Sequence, residues 1–389
     1  MNKIITLLCV AATFLFVACE SSEPVENESG GLSIYLNLPP ALSVDTRAGI
    51  GTVPINDVWV VQFGSDDKKL RAACYSGTAI KNIQDVNNNN NNSLVQVDTE
   101  GFSNISGTFR ILVNFGTSNS KLTAFRDKSD ATKSDLESIV IDYADYKNQP
   151  NYLVSDAIEF EAVDDPMNDK AVLLAGLSYA YSWIDVNWTN KVISPARFTL
   201  QSITAYNLPK SFAIESRAGT TAGAYPATTE ITGTCEVGVS ATADGLNSGS
   251  NYAFYMSENL RGVGCGKSFQ EKNLNAYGPK TDGKAPTLGS DGKPEAGGDL
   301  SKCTYIDLLG SYWYSYSTSD PTATSPISVR YRLYLGGNLV NDYNVRRGYH
   351  YTITVQISGA NSGDVRVTIT NGNVVVFDKV ETIDKVVDF

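Results

Sequence analysis

The chain has 389 residues, 42% of them hydrophobic, enough for two domains that each bury a substantial core. Its net charge is −11, with acidic residues scattered along the chain and no basic patch, so nucleic acid is not an expected partner. One histidine builds neither a His-based metal cluster nor a catalytic triad, and no cofactor or enzymatic role is expected.

The chain opens with Lys3 and a mostly apolar run over 4–18, too short to span a membrane and suited to a signal peptide; residues 1–18 are expected to be removed. The run ends Phe16-Val17-Ala18-Cys19, and residues 19–30 continue as an acidic stretch without apolar period, a disordered tether. Leu32-Ser33-Ile34-Tyr35-Leu36-Asn37-Leu38 then alternates as a strand does. After Pro39-Pro40 comes Asp45-Thr46-Arg47-Ala48, which places an exposed arginine just beyond that strand.

From Ile55 onward the texture is β, with short segments rich in Val, Ile, Thr and Tyr between Gly, Asn, Asp and Ser clusters. Asp57–Phe63 and Thr108–Phe115 are apolar enough to be buried on both faces. The run Asn87–Asn92 suits a hairpin tip between strands near Ala79–Ile83 and Leu94–Val97, since asparagine tolerates left-handed backbone angles. Ser134–Tyr143 is the best helix candidate, with Ser134 as cap, Glu137 three residues on, and Leu136, Ile139 and Val140 at helical spacing.

The polar stretch Asp164–Asp169 suggests a domain boundary, giving an N-terminal domain over 31–169 and a C-terminal domain over 170–389. Two strands are expected at Tyr179–Trp188 and Ala196–Tyr206; a loop-rich region then leads through Glu230–Ala241 and Asn251–Gly262 to four closing strands at Cys303–Leu309, Ser328–Leu335, His350–Ile357 and Val365–Ile369. Residues 275–300, rich in Gly, Lys, Pro and Asp, read as a long surface loop. The tail 370–389 holds Val374-Val375-Val376-Phe377 and a looser alternation at Val380, Ile383 and Val386. So many strands with so few helices argue for an all-β chain of two tandem β-sandwiches, with a short helix in the first.

Of the candidate sites, most have a bland reading. Gly262–Ser268 imitates a phosphate loop but has Arg261 where that motif needs glycine. His350 lies between Tyr349 and Tyr351 on an expected strand, and the pairs Asp66-Asp67 and Asp164-Asp165 sit in polar loops where carboxylates are solvated. Tyr312-Trp313-Tyr314-Ser315-Tyr316 is more informative: on a strand, Tyr312, Tyr314 and Tyr316 share one face, as a ligand platform, an interface or a packed sheet face. An exported setting permits disulfides among Cys74, Cys235, Cys265 and Cys303, with Cys265–Cys303 a candidate staple and the connectivity open.

Two resemblances add to this reading. Phe16-Val17-Ala18-Cys19 resembles the lipobox of bacterial lipoproteins, with Phe16 where leucine is usual, and implies acylation of Cys19 and anchoring to the outer membrane. The Asp45–Ala48 site, Ile55–Phe63, Asn251–Gly262 with Glu258-Asn259-Leu260-Arg261-Gly262, Val329–Gly336 and Asp342–Val355 resemble the fimbrillin-like lipoproteins of Bacteroidetes. A departure lies at Leu177–Trp188, where such proteins usually carry basic residues.

The resemblance implies a pilus subunit of two transthyretin-like β-sandwiches, cleaved after Arg47 so that Ala48 becomes the first residue. Loss of the Leu32–Leu38 strand would leave a vacancy for a strand from another subunit, with the tail as candidate donor. Expected partners are other pilus subunits, the outer membrane through lipid, and a surface receptor or glycan. The competing readings are a monomeric, lipid-anchored glycan-binding lipoprotein using the aromatic row and the 275–300 loop, and, more remotely, a lipid-anchored hydrolase.

Overall fold

The structure, a computed structural model, describes residues 29–38, 53–83, 94–142, 151–162, 171–214, 234–240, 245–249, 251–316, 319, 325–360, 362–371 and 387–388. Among them no helix is long and apolar enough to cross a membrane.

The first half contains β1 (Ser29–Asn37), β2 (Asp57–Gly64), β3 (Lys69–Ser76), β4 (Ile80–Ile83), β5 (Leu94–Ser103), β6 (Gly107–Val113), α1 (Ser120–Asp127), α2 (Lys133–Glu137), β7 (Val140–Asp142), β8 (Leu153–Ser155), β9 (Ile158–Phe160) and β10 (Ala171–Tyr179). Its strands pair in the order β3-β2-β6-β8-β10-β1-β5-β4, with β9 also beside β6. β10 serves two neighbours in succession: its first six residues run parallel to β1, and its last three run antiparallel to β8. All of these inward side chains share one core, from Leu32 to Tyr181 and including Ile214.

β2 is buried at every position, as its apolar run requires, although helices rather than a second sheet cover one side. Phe63 meets the Phe125 ring of α1 at 6.3 Å, while on the opposite face Gln62 donates to the Ser103 carbonyl. The expected β4–β5 hairpin is present in antiparallel register from Ile80↔Val97 to Ile83↔Leu94. The helix expected from Ser134 is shorter and starts earlier: Thr132 caps α2 in a reciprocal box with Asp135, and Val140–Asp142 form β7 instead. α1, which carries Leu122 and Phe125 on one side and is capped by Asn119, was not foreseen.

The second half contains β11 (Ser182–Asn190), β12 (Arg197–Pro209), β13 (Ser211–Ala213), β14 (Thr234–Ser240), β15 (Asn251–Met256), the one-turn helix α3 (Phe269–Lys272), β16 (Tyr305–Trp313), β17 (Ile327–Tyr334), β18 (Tyr349–Gly359), β19 (Ser362–Asn371) and β20 (Val387–Asp388). They form the sheets β15-β11-β18-β19-β20 and β14-β12-β16-β17 around a second core that includes Trp188, Phe198, Ile306, Tyr331 and Ile353. The chain is all-β, in sandwich-type domains with a few short helices.

The first core reaches Tyr181, beyond the boundary expected at 169/170, because β10 completes the first sheet before the chain crosses at Ala180-Tyr181. Several bonds fasten the two halves there. β13 pairs with β7, the Ile214 N–H donates to the Ile139 carbonyl (3.0 Å), and Arg347 Nη1 donates to the Ile214 carbonyl (2.6 Å). The Gly348 N–H donates to the Tyr181 carbonyl (2.8 Å), and the Ser182 hydroxyl to the Arg346 carbonyl (2.7 Å).

Candidate functional site

The seat of β1 is the first candidate site. The strand alternates strictly, with Leu32, Ile34, Leu36 and Leu38 buried, Ser33 and Tyr35 half-buried, and Asn37 exposed. It lies inside the sheet, antiparallel to β5 (Ile34↔Val97) and parallel to β10 (Ile34↔Leu173). The Thr99 hydroxyl adds a bond of 2.7 Å to the Leu32 carbonyl. Both flanks of β1 are paired, so withdrawing it would open two ladders at once.

β10 borders this seat with an outward face that is apolar: Val172 is 63% and Leu174 65% exposed, alternating with buried Leu173 and Ala175. Among the described residues, no strand pairs with the far edge of 171–176. Of the residues that bear on processing, Cys19, Arg47 and Ala48 lie outside the described residues, as do positions 372–386 of the tail. The tail's described end, β20, pairs with Ser362 and Gly363 of β19 in its own domain.

The aromatic run is divided rather than aligned. β16 ends at Trp313, so Tyr312 points into the second core, while Trp313 stands on the outer face and Tyr314 and Tyr316 follow in the loop beyond the strand. Tyr314, 64% exposed, packs edge-on against Tyr312 at 5.1 Å. Trp313 instead meets Tyr316 at 5.8 Å, and both carry Arg197, whose guanidinium carbon lies 5.5 Å from the Trp313 ring and 4.3 Å from the Tyr316 ring. Arg197 was missed because its cross-strand register with Trp313 joins positions far apart in sequence.

Cys265 and Cys303 are not joined. Both are thiols, and the expected staple is corrected: Cys303 is buried beside Leu300, Tyr334 and Tyr343, while Cys265 is half-buried in the preceding glycine-rich loop, its N–H donating to the Tyr277 carbonyl. Burial pushes the Cys303 thiol up to about 12, which leaves it protonated and unreactive. In the same cluster Lys272 is fully buried, with Nζ donating to the Asn338 carbonyl and facing the Tyr343 ring at 5.1 Å; burial pulls its amine down to about 7. Leu300, at the end of the expected surface loop 275–300, is buried in this cluster, so part of that loop packs inward.

His350 Nε2 lies 2.7 Å from Asp185 Oδ2, and its ring stacks on Trp183 at 4.7 Å. Asn251 Nδ2 donates to the other oxygen of that carboxylate (3.2 Å). This is a bond between neighbouring parallel strands, β11 and β18. Among the described residues, no group of three or more His, Cys, Asp or Glu could hold a metal ion.

Comparison with known proteins places this geometry among related folds. Residues 254–355 match the model of a domain of unknown function, DUF4906. No curated protein matches the chain in sequence. A solved structure from Parabacteroides distasonis, classed as a candidate cell adhesion protein, is similar with a TM-score of 0.55 at 11% identity, covering 89% of this chain and 98% of its own. The tip fimbrial protein Mfa3 of Porphyromonas gingivalis, solved with a C-terminal truncation, is similar with a TM-score of 0.50 at 11% identity, covering 88% and 99%. At such low identity the likeness is one of fold, and it runs through both halves of the chain.

Proposed function

We propose that this chain is a structural and adhesive subunit of a bacterial surface fimbria. In this reading it is exported as a lipoprotein through Cys19 and held at the outer membrane. It is then cut after Arg47 and assembled when a strand from another subunit enters the place that β1 leaves. The observation that carries the proposal is the position of β1: it is a fully seated inner strand, drawn from the segment just upstream of Arg47. The fold shared with a fimbrial tip protein and a candidate adhesion protein supports the same reading.

The energetics are consistent with exchange rather than simple loss. The inward face of β1 contributes four buried side chains at about 1.5–3 kcal/mol each, and its ladders about 1 kcal/mol net per hydrogen bond. A domain whose total stability is about 5–15 kcal/mol does not leave such a groove empty; an incoming apolar strand restores both the burial and the ladders. The tail segment Val374–Val387, with its apolar run Val374–Phe377 and looser alternation at Val380, Ile383 and Val386, is the proposed donor.

The test uses the chain without residues 1–18, incubated with an arginine-specific protease and run on unboiled gels. The proposal expects a ladder of oligomers that is absent from Arg47→Ala. Trimming at Arg47 with the product remaining monomeric would refute it.

A further inference from the structure

We propose that the end of the C-terminal domain farthest from the interdomain junction is a binding surface for carboxylate-bearing saccharides, centred on Arg197, Trp313, Tyr314 and Tyr316. The inference rests on the adhesive part of the preceding reading and does not depend on assembly.

The position follows from strand direction. β11 and β18 leave the junction at Ser182 and Tyr349, and β16 runs the same way, so Asn190, Gly359 and Trp313 all lie at the far end, about 30 Å along the strands. The turn leading into β12 presents Ile193, 81% exposed, and the same end holds Tyr314 and the exposed Ile327, which pairs with Tyr312. Three of the large exposed hydrophobic side chains of the described structure therefore gather at one end.

The sheet face that carries Arg197 and Trp313 is locally cationic at this end: the described segments 186–203, 309–316 and 325–331 hold the exposed Lys191, Arg197 and Arg330 and no carboxylate, whereas Asp364 and Asp388 lie at this end on the other sheet. Among the described residues no acid pairs with Arg197, whose guanidinium is instead held against Tyr316 and Trp313. Held in that way, it meets an incoming carboxylate with less loss of side-chain freedom than a solvated arginine does.

The pattern of polar groups selects a saccharide over a protein partner. Beside the rings, along the same strands, lie hydroxyl and amide groups: Thr199, Ser328 and the Gln201–Ser311 pair, in which Gln201 Nε2 donates to the Ser311 hydroxyl at 3.0 Å. A protein interface centres on continuous apolar surface. A sugar ring instead offers an apolar C–H face to stack on Trp313 or Tyr314 and a rim of hydroxyls for the polar groups beside them. The net negative charge of the chain repels polyanions elsewhere, which confines their binding to this patch.

The test is calorimetric titration of the uncleaved chain lacking residues 1–18, with β1 in place, so that a negative result leaves the assembly proposal standing. The probes are an oligogalacturonate and 3′-sialyllactose, against maltooligosaccharide and lactose as uncharged counterparts. The acidic saccharides are expected to bind at least about tenfold more tightly than the neutral ones. Arg197→Gln should erase that preference, and Tyr314→Ala should weaken all binding; both side chains are exposed, and unchanged thermal melts establish folding. Independently of any variant, the indole N–H resonance of Trp313, assigned by its loss in Trp313→Phe, should shift during titration of the wild-type chain. Absence of binding at millimolar saccharide, or binding unchanged by both variants, would overturn the proposal. So would finding that the same variants abolish a concentration-dependent self-association in sedimentation and leave saccharide affinity as it was.

Discussion

Truncating Ile34 tests how firmly β1 is seated. Ile34 is fully buried at the middle of the strand, opposite Val97 of β5 and Leu173 of β10. Replacing it with alanine removes three carbons, about 2.4 kcal/mol of transfer free energy at about 0.8 per methylene. The cavity left between two paired neighbours raises the loss to about 3–4 kcal/mol. Tyr35 faces the other way, and Tyr35→Ser should cost far less, within about 1 kcal/mol. Urea unfolding of the uncleaved chain, followed by tryptophan fluorescence, is the assay. The contrast between adjacent positions depends on register, because a slip by one residue would exchange the faces. Equal losses at 34 and 35, or a loss at Ile34 below about 0.5 kcal/mol, would refute the seating described here.

Lys272→Met tests the buried amine. Because the folded chain holds Lys272 near 7 while the unfolded chain protonates it up to 10.5, the unfolded state binds more protons between these values. Wild-type stability should therefore rise with pH across that window, by at most about 1.4 kcal/mol per unit, relative to a variant without this slope. Urea midpoints of both chains at about pH 7 and about pH 9 provide the check. Thr132→Ala removes the cap of α2 and should cost about 1 kcal/mol in the same assay. Asp307→Asn removes the charge and one of the two acceptors that take 2.7 Å bonds from Arg332, which also lies over the Tyr305 ring, and should cost about 1–3 kcal/mol. Cys265 and Cys303 should both alkylate in denaturant without prior reduction, as mass spectrometry of their peptides will show.

Much of the fold was legible because it is written in local pattern. Period-two alternation located β1, β16, β17 and β18 to within a few residues, and the wholly apolar Val58–Val61 announced a strand covered on both sides. What local pattern does not carry is pairing. Nothing in Leu32–Leu38 says that its neighbours are β5 and β10, and nothing around Ala171 says that one strand joins two neighbours in turn, which is why the boundary was drawn before β10 instead of after it. The helix start was misplaced for a related reason: Ser134 and Thr132 are both acceptable caps, and Asp135 decided between them by bonding back to the Thr132 N–H. The aromatic run was noticed, but its alternation was extended past Trp313, where the strand ends. Arg197 became visible only through its register with Trp313.

The most direct test of the central claim uses a chain that begins at Ala48 and a synthetic peptide of residues 29–38. If the place of β1 is a vacancy that another strand fills, the truncated chain should assemble alone. One equivalent of peptide added before assembly should hold it as a monomer in sedimentation, and a peptide carrying Ile34→Asp should not. A truncated chain that stays monomeric and as stable as the uncleaved one, or that assembles regardless of the peptide, would contradict the account.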